Sequence, residues 1–177
     1  MIFKELPLQD AYIIEPEPIE DARGFYARAL CEKEFADHGL ELNIVQSNIS
    51  FSLKKGTLRG MHYQVAPHLE AKIVRCTRGG IYDVIIDMRE ESPTYKQWYG
   101  QELTSENRKT LYIPGGFAQG FITLQDNSEV SYNVTEFYHP ESERGLRYND
   151  PEFGIEWPIT PVVISDKDRN CPDFNSL

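Results

Sequence analysis

Seven short runs rich in β-branched and aromatic residues recur along this chain, at 43–52, 72–77, 80–87, 98–103, 109–113, 117–124 and 129–137. Turn-forming clusters stand between them: Lys54-Lys55-Gly56, Arg78-Gly79-Gly80, Pro114-Gly115-Gly116 and Asp126-Asn127-Ser128. Many short strands at regular spacing predict an all-β fold, a sandwich or barrel, with a jelly roll favoured. One short helix is expected over Ala29–His38, where Leu30 and Phe35 sit among helix formers and Gly39 ends the run. With 177 residues and no repeat, low-complexity segment or linker, residues 1–177 read as a single domain. A jelly roll leaves a cavity at its mouth, where a ligand would bind.

Composition excludes several classes of partner. A formal net charge of -10 leaves no basic face for a nucleic-acid backbone, so any phosphate must be held by a few local cations. No apolar run is long enough to span a bilayer, and Met1–Leu6 lacks the basic-then-apolar pattern of a secretory signal. Three scattered cysteines, Cys31, Cys76 and Cys171, suit a reducing compartment better than a disulfide framework. The expected location is the cytoplasm.

Chemistry concentrates in Gly56-Thr57-Leu58-Arg59-Gly60-Met61-His62-Tyr63-Gln64 and the nearby Glu70-Ala71-Lys72. A histidine, an arginine and a lysine this close suit a site that binds a charged ligand and moves a proton. Strand alternation then groups polar side chains with apolar ones: Tyr132 with Val130 and Val134, Gln119 with Phe117 and Phe121, Lys72 with Val74 and Cys76. Taken singly, each has a structural reading, a core tyrosine or a strand end in solvent. His38 reads as helix surface, His139 as a loop residue, and His68 as a loop residue near the site. Ser165-Asp166-Lys167-Asp168-Arg169 reads as a charged tail that could supply an acid to His62. Neither paired histidines one residue apart nor His-Glu-x-x-His occurs, so a metal-free site is expected. Gly-x-Gly-x-x-Gly, a phosphate-binding loop and a nucleophile elbow are also missing, which counts against a nucleotide cofactor or a serine hydrolase.

Further fragments extend this pattern: Asp21-Ala22-Arg23-Gly24-Phe25-Tyr26, Gln46-Ser47-Asn48, Lys72-Ile73-Val74-Arg75, Gly80-Ile81-Tyr82-Asp83-Val84 and Ser92-Pro93-Thr94-Tyr95. Downstream come Ile113-Pro114-Gly115-Gly116-Phe117-Ala118, then 143–150 from Glu143 to Asp150, and finally Ser165-Asp166-Lys167-Asp168. In this order, over nearly the whole length, they resemble the RmlC-type nucleotide-sugar epimerases, the dTDP-4-dehydrorhamnose 3,5-epimerase family. The resemblance implies a cupin-like double-stranded β-helix with short peripheral helices, no cofactor or metal, and a homodimer. It also implies inversion of carbon centres beside the ketone of a nucleotide-diphospho-4-keto-6-deoxyhexose. Carried to matching positions, His62 is the base and Asp168 its carboxylate partner. Lys72 meets the enolate oxygen, and Tyr132 is the acid on the opposite face. Arg23, crossing from the other subunit, Arg59 and Lys167 surround the diphosphate and base. Tyr138 stacks on the nucleobase, and Gln46, Asn48 and Glu143 are further substrate contacts.

Three positions depart from the family pattern. Gln119 stands where the family has histidine in Phe-Ala-His-Gly-Phe, and glutamine cannot shuttle a proton, so the scope could narrow to C3 alone. Arg28 stands where the thymidine enzymes have glutamate, and a guanidinium suits the acceptor at N3 of cytosine, so a CDP-linked sugar stays open beside a dTDP-linked one. Ser47 replaces the usual aspartate of Gln-Asp-Asn. A 3,4-ketoisomerase and a non-catalytic sugar-nucleotide-binding cupin also stay open.

Overall fold

A computed structural model describes residues 1–40 and 42–176. In chain order the elements are β1 (Ile2–Glu5), β2 (Tyr12–Glu15), β3 (Ile19–Asp21), β4 (Gly24–Tyr26), α1 (Glu32–Ala36), β5 (Gln46–Ser52), β6 (Thr57–Gln64), β7 (Lys72–Arg78) and β8 (Gly80–Asp87). They continue with β9 (Trp98–Thr104), β10 (Thr110–Ile113), β11 (Phe117–Thr123), β12 (Ser128–Val134), β13 (Glu143–Gly145), β14 (Val163–Ile164), α2 (Asp166–Arg169) and a 3-10 turn at Phe174–Ser176. The all-β expectation holds. Each of the seven expected runs contains a strand, with ends moved by a few residues.

Two sheets stack face to face. One runs β1-β2-β10-β7-β12-β5, the other β13-β6-β11-β8-β9 with β14 added beside β6, and β3 and β4 form a separate hairpin. Between the sheets lies the main core, where Ile13, Val74, Leu111, Ile113 and Val130 of the first sheet meet Ile81, Ile85, Leu103 and Phe117 of the second. Each outer face is covered as well. Phe35 and Leu40, at and beyond α1, pack on Ile14, Ile73 and Tyr112, while Leu146 and Phe153 pack on Met61, Val84 and Ile86. That double covering explains why β8 is buried at nearly every position rather than alternating. Residues 81, 83, 85 and 87 of β8 point to the inner face, so Asp83 lies among inward isoleucines.

Shorter elements depart from the sequence expectation. The helix covers 32–36 rather than 29–38 because Cys31 is extended and the chain turns at Gly39, with φ of +72°. Five residues cannot sustain a helix alone, and Phe35, fully buried, holds it to the sheet. The strands β1 to β4, β13 and β14, of two to four residues, have no comparable signal in the sequence.

Candidate active site

One local irregularity positions the most chemically active strand. Gln119 pairs with His62 and Phe121 with Arg59, so β6 spends three residues where β11 spends two. The extra residue is accommodated at Gly60, whose φ is +110° and where an added Cβ would lie 2.5 Å from the Cα of Gly120. Such a bulge resets the alternation, so Arg59 and His62 both face the interior although they are three residues apart.

On the facing sheet, regular register from Val130 to Val134 does the same work, beyond a shift between Glu129 and Val130. Tyr132 of β12 lies level with Val74 of β7 and Asn48 of β5, and Val134 lies level with Lys72 and Gln46. Paired residues share a face, so Lys72, Tyr132, Gln46 and Asn48 all point the same way. Between the sheets is a cavity of about 530 Å³, whose walls include Arg59, His62, Gln119, Lys167 and Asp168 on one side and Lys72 and Tyr132 on the other. An adjoining cleft of about 260 Å³ shares His62, Lys72 and Tyr132 and adds Gln46, Asn48, Tyr138 and Glu143. Eleven of the thirteen expected site residues thus lie around two connected spaces: His62, Lys72, Tyr132, Asp168, Arg59, Gln119, Lys167, Gln46, Asn48, Tyr138 and Glu143.

His62 Nε2 lies 2.7 Å from Asp168 Oδ1. The charged tail is not a solvated terminus: β14 runs parallel to β6, the Ser165 hydroxyl caps α2 by accepting the Asp168 N–H, and Asp168 is 5% exposed. Burial opposes its negative charge. The His62 hydrogen bond and charge and the Gly60 N–H outweigh that and hold the carboxyl below the ordinary aspartate range. An ionised carboxylate accepts Nε2–H, which leaves Nδ1 of His62 with the lone pair, able to take a proton.

Lys72 Nζ lies 3.5 Å from Glu70 Oε2, both side chains being largely buried. Burial raises the Glu70 carboxyl, with Lys72 opposing the rise. Burial also raises the Tyr132 hydroxyl, Glu70 adding to the shift and Arg59 opposing it, so Tyr132 keeps its proton. Gln119 donates through Nε2 to both oxygens of Asp83, each at 3.0 Å. Asp83 is fully buried, and its carboxyl is pushed up to about 7 by burial against the pull of Gln119 and Lys72. At the mouth, Lys167 donates to Glu143 at 2.6 Å and Tyr138 to the same carboxylate at 2.8 Å. Burial opposes ionisation of Glu143, yet these two donors hold it below its ordinary range. Arg59 donates to the Phe51 carbonyl and the Ser52 hydroxyl.

Arg23 and Arg28 are not brought to this place within the chain. Arg23 lies on the β3–β4 hairpin, 89% exposed and paired with Asp21, and Arg28 donates to Glu34 at 2.7 Å. Conversely, sequence reasoning assigned no role to Asp83, Glu70 or Ser165. An aspartate on the inward parity of an isoleucine run and a glutamate two residues before the inward lysine were the available signals.

The pattern that defines the dTDP-4-dehydrorhamnose 3,5-epimerase family matches residues 5–176. The chain belongs to that family. It is similar to the enzyme of that name from Sinorhizobium fredii, 42% identical over 178 residues that cover 100% of this chain and 91% of the relative. The solved dTDP-4-dehydrorhamnose 3,5-epimerase of Elizabethkingia anophelis superposes with a TM-score of 0.96 at 42% identity, covering 99% of this chain and 97% of that one. That of Legionella pneumophila, a dTDP-6-deoxy-D-glucose-3,5-epimerase in complex with dTDP-4-keto-L-rhamnose, gives 0.91 at 38% identity, covering 98% and 93%. The fold of this epimerase-family member is therefore the cupin-like one expected, and no described helix is long and apolar enough to cross a membrane.

Proposed function

We propose that this chain is a single catalytic domain that epimerises C3 and C5 of a dTDP-linked 4-keto-6-deoxyhexose, in the cytoplasm, without a cofactor. What carries this reading is the placement of His62 and Tyr132 on opposite sheets around one cavity, with Lys72 on the wall that carries Tyr132. A proton beside a ketone becomes acidic only when charge moving onto the ketone oxygen meets a preorganised cation. The Lys72 ammonium supplies that cation. Nδ1 of His62 takes the proton as the C–H electron pair moves into the enolate. When the enolate collapses, the Tyr132 hydroxyl gives a proton to the same carbon from the opposite face. Solvent then takes the proton from His62 and restores the one on Tyr132.

Donation of its amide N–H groups to Asp83 leaves the Gln119 carbonyl oxygen as the acceptor available to the sugar, a role that needs no proton transfer. The relatives named for dTDP sugars favour thymidine over cytidine. Pairing of Arg28 with Glu34 removes the reason to expect a cytosine. Arg59 and Lys167 are placed for the diphosphate, and Tyr138 for the base. The active form we infer is a homodimer. Its support is the exposed hairpin bearing Arg23, which also exposes Ile19 and Tyr26 at 69% each, together with apolar Ile49 and Leu53 on and beyond the edge strand β5. A lone two-stranded hairpin needs a surface to lie on. Three free cysteines agree with a reducing compartment.

The test is NMR in deuterated buffer with dTDP-4-keto-6-deoxyglucose, following exchange at C3 and C5. Deuterium at both carbons with inversion supports the proposal. Uptake at C3 alone would narrow it to a monoepimerase, and no uptake by protein that binds the nucleotide sugar would overturn it.

A further inference from the structure

Behind the smaller cleft, two loops carry three side chains that line neither cavity. His68, Glu136 and His139 bring their ligand atoms within 4.8 Å of one another. Glu136 faces both histidines beyond hydrogen-bond length: His68 Nδ1 lies 3.7 Å from Oε2 and His139 Nε2 lies 3.8 Å from Oε1. The imidazoles stack at 3.4 Å between centroids and 11° between planes.

The proton count at this cluster is what makes it informative. His139 Nδ1 lies 3.2 Å from Glu141 Oε1, and a carboxylate only accepts, so Nδ1 carries the hydrogen. Nε2 of a neutral His139 then aims a lone pair at an anionic oxygen. Protonating both rings would relieve that contact but would place two cations in one stack. The arrangement of two imidazole nitrogens and a carboxylate, with a second carboxylate orienting one imidazole from behind, is a ligand set for a borderline-soft divalent cation.

The backbone under these residues is already braced. Gln64, 4% exposed at the end of β6, donates through Nε2 to the carbonyls of His68 and Phe137 at 3.1 and 3.0 Å, and its Oε1 accepts the His139 N–H at 2.6 Å. One glutamine therefore ties both ligand-bearing loops together. Tetrahedral coordination at about 2.0–2.1 Å puts ligand atoms about 3.4 Å apart, so the three ligand atoms, now within 4.8 Å of one another, must draw together. The rings must also splay from parallel, a movement open to side chains about 30% exposed.

We propose that His68, Glu136 and His139 form a binding site for a divalent transition metal of the zinc class, with Glu141 orienting His139. The ion would sit beside Tyr138 without contacting the reaction cavity. The experiment titrates the full chain with Zn²⁺ by calorimetry, with Mg²⁺ as the control, and records the histidine side chains by long-range proton–nitrogen NMR. Expected are one Zn²⁺ per chain, movement of the His68 and His139 ring signals, and no competition from Mg²⁺. Glu141→Gln should weaken binding by about tenfold or more, and folded His139→Ala should lose it. Absence of Zn²⁺ binding, equal competition by Mg²⁺, or binding that leaves the His68 and His139 signals of the unmutated protein unchanged would overturn the proposal.

Discussion

Asp83→Asn should stabilise this protein at neutral and alkaline pH while impairing it as a catalyst. The carboxyl is fully buried and titrates at about 7, against 3.8 for an unperturbed aspartate. That gap corresponds to about 4 kcal/mol of folding free energy lost once the group is ionised in both states. Because the folded value is the higher one, stability is fully present below the unfolded value, falls as pH rises, and is lost through the folded value. Between about pH 5 and about pH 8 the native aspartate should therefore lose about 2–3 kcal/mol relative to asparagine, which does not titrate. Asparagine still offers Gln119 an acceptor, so the fold loses little packing. The assay is urea unfolding of both proteins at the two pH values and one protein concentration, so that any subunit association cancels. Turnover should fall, since Gln119 loses the two-oxygen acceptor that aligns its amide. Parallel pH dependences for the two proteins would refute this account, and would mean that the carboxyl is solvated or is neutralised by Lys72.

The other predictions concern the reaction. Asp168→Asn should lower kcat by about a hundredfold to ten-thousandfold, because an amide in place of the carboxylate no longer enforces the Nε2–H tautomer; an unchanged rate would remove His62 as the base. Tyr132→Phe should keep solvent exchange of the substrate proton while net inversion falls, as measured by NMR on one sample; equal loss of both would assign Tyr132 to binding. Arg23→Ala alone and His62→Ala alone should each be poorly active, yet mixing them after dissociation should restore activity. In a mixed dimer one site would have both His62 and the Arg23 of its neighbour, and a mixture no more active than its parts would place Arg23 outside the site.

Much of the architecture was legible because alternation and turn chemistry are local. Arg78-Gly79-Gly80 ends β7 and starts β8 through a residue with φ of +72°, and Asp126-Asn127-Ser128 joins β11 to β12 through Asn127 at +55°. Inward parity of Lys72, Gln119 and Tyr132 followed from the same alternation, and the cavity confirms their shared direction. Motif resemblance, not periodicity, indicated Asp168, since nothing local distinguishes a buried aspartate from its exposed neighbours in a charged tail.

Chain-order information thus determined seven of the strands, the apolar faces and the residue types available for proton transfer, all of which depend on neighbours a few positions apart. Tertiary structure decided which of those residues meet. Period-two reasoning would put Arg59 and His62 on opposite faces; the bulge at Gly60 turns both inward. The dyad of His62 and Asp168 exists because β14 pairs with β6 across most of the chain, and the Asp83–Gln119 contact because β8 and β11 are neighbours. Contacts between residues far apart in sequence depend on how the sheets close, and a local pattern carries no record of that closure.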